Sequence, residues 1–421
     1  MSEKNWHKFP LLFSLYIAQS IPMSFFSTVV PVIMRQENYS LASIGLLQLV
    51  KLPWILKFLW APLVDNKAHT TKKLKRWIFI SEGFYALIIF SIAFFDLQTD
   101  FKLIIFLVII AFIASATQDI AVDIYAIFSL KPSERSLGNS MQSGGSFIGS
   151  FFGTGVLLVA YHYYGWSNVL ILLSGFVLLA VIPLYFSRKK LPVDNVQKQR
   201  VTLKDIFTFF RQKGKGKHIL LLIFYYSGII GIMAMLKPYL VDLGYNVKQI
   251  AFMSGIFGTL TAAVSTMAGG FIMKKIGRRP ALFIFLTVSL AAGIYFRIIS
   301  GMVPSVEALY IGIGLIWCAY GLSTVGIYTI SMDTVREGRE GTDFTIQIVI
   351  THIGSLLVAT LSGKIATEFG YTGLFTGEII ISALTFIILL YALPGKKPLK
   401  ANSSTNNTNK NGNFRKAFSK V

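Results

Sequence analysis

The stretch TQDIAVDIY, residues 117–125, sets Asp119 and Asp123 four residues apart in an apolar run that begins near Leu103 and meets no basic residue until Lys131. Positions i and i+4 share one helix face, so the two carboxylates point the same way, about 6 Å apart. A charge at the centre of a membrane span costs about 2.5–3.5 kcal/mol on insertion scales. The preceding apolar run carries the complementary charges, Lys51 and Lys57. At 1.5 Å per residue, Lys57 and Asp123 both lie roughly 12 Å above the inner boundary, and Lys51 and Asp119 at roughly 21 and 18 Å. Neutralisation in pairs of matching depth is the expectation. Three roles stay open for this set: a clamp between two helices, a carboxylate that takes up and releases a proton, or direct contact with a ligand.

The elements that position these residues follow from composition. The chain has 421 residues, 54% of them hydrophobic and only 14% charged, with a mean hydropathy of +0.62. A soluble globular protein carries about 25% charged residues. These values describe an all-α polytopic membrane protein. Apolar runs of about 20 residues, enough to cross a bilayer, fall at 11–34, 43–64, 77–95, 103–130, 136–161, 168–186, 218–241, 248–273, 280–299, 306–330, 341–367 and 371–393. The first is read as a span and not as a cleaved signal, because it is long, contains Pro22 and ends without a small-residue cleavage site.

The net charge of +21 is not spread evenly. Lys and Arg concentrate in alternate loops and the tail, whereas the other loops hold only Arg35, Lys102 and Lys248. That asymmetry puts both termini in the cytoplasm and argues for anionic lipid, not nucleic acid, as the partner of the charge. The predicted organisation is a six-helix bundle over 1–186, a basic cytoplasmic linker over 187–217, a second bundle over 218–395 and a disordered tail over 396–421. Within the linker, VTLKDIFTFFR fits a helix lying on the inner leaflet.

The two bundles are related by a repeat. Tyr39 and Ile44 recur as Tyr245 and Ile250; Tyr125, Glu134 and Gly138 as Tyr328, Glu337 and Gly341; Gly149, Ser150, Gly165 and Trp166 as Gly354, Ser355, Gly370 and Tyr371. All three sets fall at nearly one offset. The charges do not repeat: Lys51 and Lys57 correspond to Phe257 and Ala263, Asp119 and Asp123 to Leu322 and Gly326. A role in holding any such bundle together would be needed twice, so the asymmetry favours function. Tyr16, Gln19, Gln118, Tyr225, Tyr226, Trp317 and Tyr320 are further candidates for lining a cavity between the bundles, where transporters built from such repeats hold their solute. Aromatics in spans are also common packing residues and interface anchors.

The loops VDNKAHTTKKLKR (64–76) and KKIGRRPA (274–281) resemble the basic loop motif of the major facilitator superfamily, which marks Asp65, Lys275, Gly277, Arg278 and Arg279 as candidates for a cytoplasmic gate. LKFLWAPLVD (56–65) with TQDIAVD (117–123) resembles the branch containing muropeptide permeases and acetyl-coenzyme A transporters. MLKPYLVDLGY (235–245), IGRRPALFIF (276–285) and GTDFT (341–345) look more like the siderophore permeases of that branch. The resemblance implies twelve helices in two pseudo-symmetric bundles and proton-driven import of a polar solute across the inner membrane, by a monomer, with Lys57, Asp119 and Asp123 as motif residues. A siderophore stands slightly ahead of a muropeptide. No cofactor or metal is expected, since Cys318 is the only cysteine and the five histidines are scattered. A membrane-embedded acyltransferase would need a nucleophile paired with a base at one depth, and a nucleotide-driven pump a G-x-x-x-x-G-K-[ST] loop; neither is evident.

Overall fold

Backbone groups in lipid must be satisfied within helices or a closed barrel, and the computed structural model consists of helices joined by short turns, with no strand among the residues it describes, 7–39, 47–187, 191 and 200–392. The predicted tail and the start of predicted span two lie outside those residues. Helix α1 (Lys8–Ser24) runs through a π-turn at Phe25–Val29 into α2 (Val30–Gln36). It is followed by α3 (Leu52–Leu56), α4 (Ala61–Lys67), α5 (Thr71–Ile92), α6 (Phe101–Ser129), α7 (Arg135–Phe151), α8 (Leu157–Ala180) and α9 (Ile182–Phe186). After α10 (Leu203–Phe210) come α11 (Lys215–Phe224), α12 (Ser227–Asp242), α13 (Val247–Ile250), α14 (Thr259–Ile276), α15 (Arg278–Ile299), α16 (Val306–Asp333) and α17 (Glu340–Ala392).

Among the described residues, 8 helical stretches are long and apolar enough to cross a membrane. Two of them, Pro132–Phe186 and Glu340–Ala392, have 55 and 53 residues, about twice a single crossing. Each breaks at a glycine of positive φ, Gly165 at 74° and Gly370 at 66°. Glycine enters that region without steric cost, and these two are partners in the sequence repeat.

Predicted span two is not one regular helix. Its 3₁₀ turns at Leu47–Lys51 and Lys57–Leu59 alternate with α3 and α4, and Pro53 and Pro62 occupy the first turns of those helices. Proline has no N–H to give and is tolerated there, but it ends any helix that arrives from before it. Predicted span seven also divides, at Tyr225–Tyr226 between α11 and α12.

Helix α7 reads RSLGNSMQSGGSFIGSF, small and polar for a span, and it packs against α1, α14 and α16. A Cβ on Gly145 would lie 2.7 Å from the Phe13 carbonyl oxygen, and one on Gly149 2.7 Å from Ser20 Cβ. Such residues let helix backbones approach closely where no hydrophobic force between helices exists. One apolar core lies within residues 21–177 and another within 221–389, while a third joins Leu12 and Val122 to Met332 and Phe344. Phe106, Leu179 and Ile387 are exposed on the outside, as lipid contact requires.

The linker segment expected to lie on the inner leaflet forms a helix that also packs on the protein. A capping box between Thr202 and Asp205 starts α10, whose Ile206 and Phe209 pack on Ile346. Asp205 also pairs with Arg339 at 2.7 Å. Only Leu203, Phe207 and Phe210 remain exposed for lipid.

Candidate functional site

A cavity of about 290 Å³ opens between α1, α3, α6 and α7 on one side and α16 and α17 on the other. Its first wall carries the charges. Lys57, released from helical register by the 3₁₀ turn, forms an ion pair with Asp119, and both are almost fully buried. The Lys57 Nζ also lies 5.1 Å from the centre of the Trp54 ring, which fixes the ammonium between a carboxylate and an aromatic face. Asp123, one turn further along α6, has no cation of its own. It accepts a hydrogen bond from the Tyr16 hydroxyl and one from Gln142 Nε2 at 3.5 Å, while Gln142 also donates to Tyr16 at 2.7 Å. Gln19 donates to Gln118 just behind this wall.

The pairing differs from the depth argument, which matched Lys57 with Asp123 and Lys51 with Asp119. A 3₁₀ turn rises about 2.0 Å per residue instead of 1.5, so Lys57 stands further from the inner end than a regular helix would put it. Its side chain reaches Asp119. Lys51 is absent from the cavity wall. One lysine stands against two carboxyl groups, and Asp123 is the one without an ion-pair partner among the described residues.

The second wall is aromatic: Tyr320, Tyr328, Phe344 and His352, with Thr324 between. Trp317 and Tyr226 stand behind it, their rings 6.1 and 5.8 Å from that of Tyr320. Tyr225 is a packing residue whose hydroxyl donates to the Leu282 carbonyl at 2.8 Å. Of the sequence candidates, the cavity therefore gathers Tyr16, Gln19, Lys57, Asp119, Asp123 and Tyr320. It adds Gln142, Ser143, Ser146 and Ser150, which lie on one face of α7 and were legible as a polar stripe in an otherwise apolar span.

The cavity is closed at the end that carries the basic loops. Asp65, at the end of the span-two segment, accepts hydrogen bonds from Gly341 N at 2.8 Å, Thr342 N at 2.7 Å and Thr342 Oγ1 at 2.6 Å. Desolvation pushes its carboxyl up to about 7, against those three bonds, which favour the charged form. Arg135 pairs with Asp333 at 2.9 Å, and Asp333 also holds Arg278 at 3.0 Å. Arg278 donates in addition to the Pro132 carbonyl, so α15 and α16 are tied to the loop before α7. Gly277, at φ 90°, makes the turn that aims Arg278. Arg279 lies over the Phe283 ring at 5.8 Å, and Lys275 is exposed. Arg336 clamps Asp343 at 2.6 Å and reaches Thr208 on the linker helix at 2.8 Å.

Comparison with known proteins places this geometry. The model of the Major Facilitator Superfamily matches residues 12–342 and 219–420. The "Anhydromuropeptide permease" of Escherichia coli (strain K12) is 22% identical over 388 residues, covering 90% of this chain and 78% of that one. The "Putative transporter AmpG 4" of Rickettsia conorii is 22% identical over 393 residues, covering 90% and 95%. Among solved structures, a bacterial homologue of the iron transporter ferroportin in an outward-facing state superposes with a TM-score of 0.69 at 16% identity, over 92% of this chain and 99% of that one.

Proposed function

We propose that this chain, which belongs to the major facilitator superfamily, imports a muropeptide-like solute together with a proton. It is a multi-pass transporter of the inner membrane. In this reading the twelve predicted spans form two six-helix bundles, the basic end faces the cytoplasm, and the cavity between the bundles is the solute site of an alternating-access cycle. The closed basic end then corresponds to a state whose cytoplasmic exit is shut.

The observation that carries the proposal is the charge imbalance of the first wall. Lys57 and Asp119 neutralise each other, whereas Asp123 holds only hydrogen bonds from Tyr16 and Gln142. An unpaired charge away from water is costly, and a proton that travels with the solute removes it. Release of that proton on the cytoplasmic side resets the carboxylate, which couples the solute to the proton gradient.

The substrate class rests on the relatives. One of them, over 90% of this chain, bears the name "Anhydromuropeptide permease". That name favours a muropeptide over the siderophore preferred from sequence, so the muropeptide reading takes first place. An anhydromuropeptide joins a sugar to a short peptide, and the cavity pairs an aromatic wall, suited to sugar faces, with a hydroxyl-rich stripe on α7. At about 290 Å³ the cavity is at the lower limit for ligand sites, so the loaded state is wider than this one.

Uptake into proteoliposomes under an imposed inward pH gradient tests the reading. Accumulation of an anhydromuropeptide, with neither a ferric siderophore nor its iron-free form accumulating, is the expected result. Accumulation of the siderophore alone overturns the substrate assignment, and anhydromuropeptide accumulation indifferent to the pH gradient overturns the coupling.

A further inference from the structure

Outside the cavity, a second acidic residue lies deep in the chain after the linker. Glu378 on α17 is 3% exposed and Ser382, one turn later, 1%. Both face α12, where glycines clear the space for them. A Cβ on Gly231 would fall on the Glu378 carboxylate and beside Ser362 Oγ, and one on Gly228 would fall on Ser382 Oγ. The sequence SGIIG (227–231) thus gives up two side chains to admit a carboxyl and two hydroxyls between helices.

No ion pair among the described residues involves this acid. Lys237 on α12 is exposed, and Arg297 on α15 gives its Nε to Thr376 Oγ1 at 3.0 Å. Lys217 and His218, the basic groups of α11, are engaged by the Tyr391 ring and by Gln347. On α17 itself, Lys364 and Glu368 are exposed. Glu378 Oε2 and Ser382 Oγ have no hydrogen-bond partner among the described residues. Ser362 directs its own proton to the Val358 carbonyl at 2.7 Å, so what it presents to the carboxyl is a lone pair. A carboxyl that carries a proton can donate to that lone pair; a carboxylate cannot.

We propose that Glu378, with Ser362 and Ser382, is a second proton-binding site, built between α12 and α17 and separate from the solute cavity. The O–H bond forms with a proton from water on one side of the membrane and breaks by returning it to water. The site adjoins the break at Tyr225–Tyr226, just before Gly228, and Tyr226 packs on Tyr320 of the cavity's aromatic wall. Displacement of α12 against α17 would open the glycine cradle and with it the route by which the proton leaves.

Infrared difference spectroscopy of the full chain in lipid, with no solute present, tests this independently of the transport reading. Between acid and alkaline pH the wild type should lose a C=O stretch of a protonated carboxyl in an apolar setting. That component should be absent in Glu378→Gln and present at a shifted frequency in Ser382→Ala, which keeps the acid and removes one neighbour. Identical titrating bands in wild type and Glu378→Gln overturn the proposal. If Glu378→Gln does not fold, the Ser382→Ala spectrum decides alone: an unshifted carboxyl band is the contrary result.

Discussion

The two walls of the cavity differ in kind. The wall built from α1, α3, α6 and α7 holds the Lys57–Asp119 ion pair and, beside it, Asp123 hydrogen-bonded by Tyr16 and Gln142, whereas that from α16 and α17 presents Tyr320, Tyr328 and Phe344. The repeat relates α6 to α16, and there the difference lies in side chains: Leu322 and Gly326 stand on α16 where Asp119 and Asp123 stand on α6. In the proposed function, one wall moves charge and the other grips a surface. Changes to the first should therefore alter stability and coupling, and changes to the second affinity.

The largest effect is expected from Lys57→Ala. It strands Asp119 beside Asp123, and breaking a buried pair from one side costs about 3–5 kcal/mol. Thermal unfolding in detergent should show that loss, and addition of Asp119→Asn should restore much of it. Next, Asp65→Ala removes the acceptor of three hydrogen bonds at the closed end, for roughly 2 kcal/mol or about 30-fold in the closed population. Spin labels at Lys72 and Lys275 should report a longer distance. On the aromatic wall, Tyr320→Ala forfeits contacts with Phe147, Trp317 and Tyr226. A loss of about 1 kcal/mol in solute affinity is expected, with the number of protons per solute unchanged. A transport assay that found coupling altered instead would erase the distinction between the walls.

A further effect concerns pH at the closed end. Closure raises the Asp65 carboxyl from its ordinary 3.8 to about 7, so the closed end takes up a proton in that interval. Its contribution to closure is complete below 3.8 and is lost as pH rises through about 7. The same label pair should show the closed distance more populated at acid than at alkaline pH. Asp65→Asn should abolish that difference.

Much of the architecture was legible in the sequence because bilayer thickness fixes helix length and glycine marks the reversals. Gly165 and Gly370 were found as repeat partners and prove to be the two helix breaks. The charged set was legible because charge in an apolar run is expensive. Its pairing was not, since depth counted at a uniform 1.5 Å per residue fails where Pro53 and Pro62 break the chain into short α and 3₁₀ pieces. Tyr16 was foreseen as a cavity residue, but not as the partner of Asp123, because periodicity gives faces and not neighbours. The α7 stripe of Gln142, Ser143, Ser146 and Ser150 was passed over although its spacing was in plain view; neutral polar residues carry a weaker signal than charges. The ties at the closed end join residues as distant as Asp65 and Gly341, and only the folded chain shows them.

Asp123→Asn tests the central claim most directly, because it removes the cavity carboxyl that has no ion-pair partner among the described residues while keeping an acceptor for Tyr16. In proteoliposomes loaded with and without a pH gradient, the wild type should concentrate an anhydromuropeptide against its gradient, and the variant should only equilibrate it by exchange. Accumulation by Asp123→Asn that still follows the pH gradient contradicts the account.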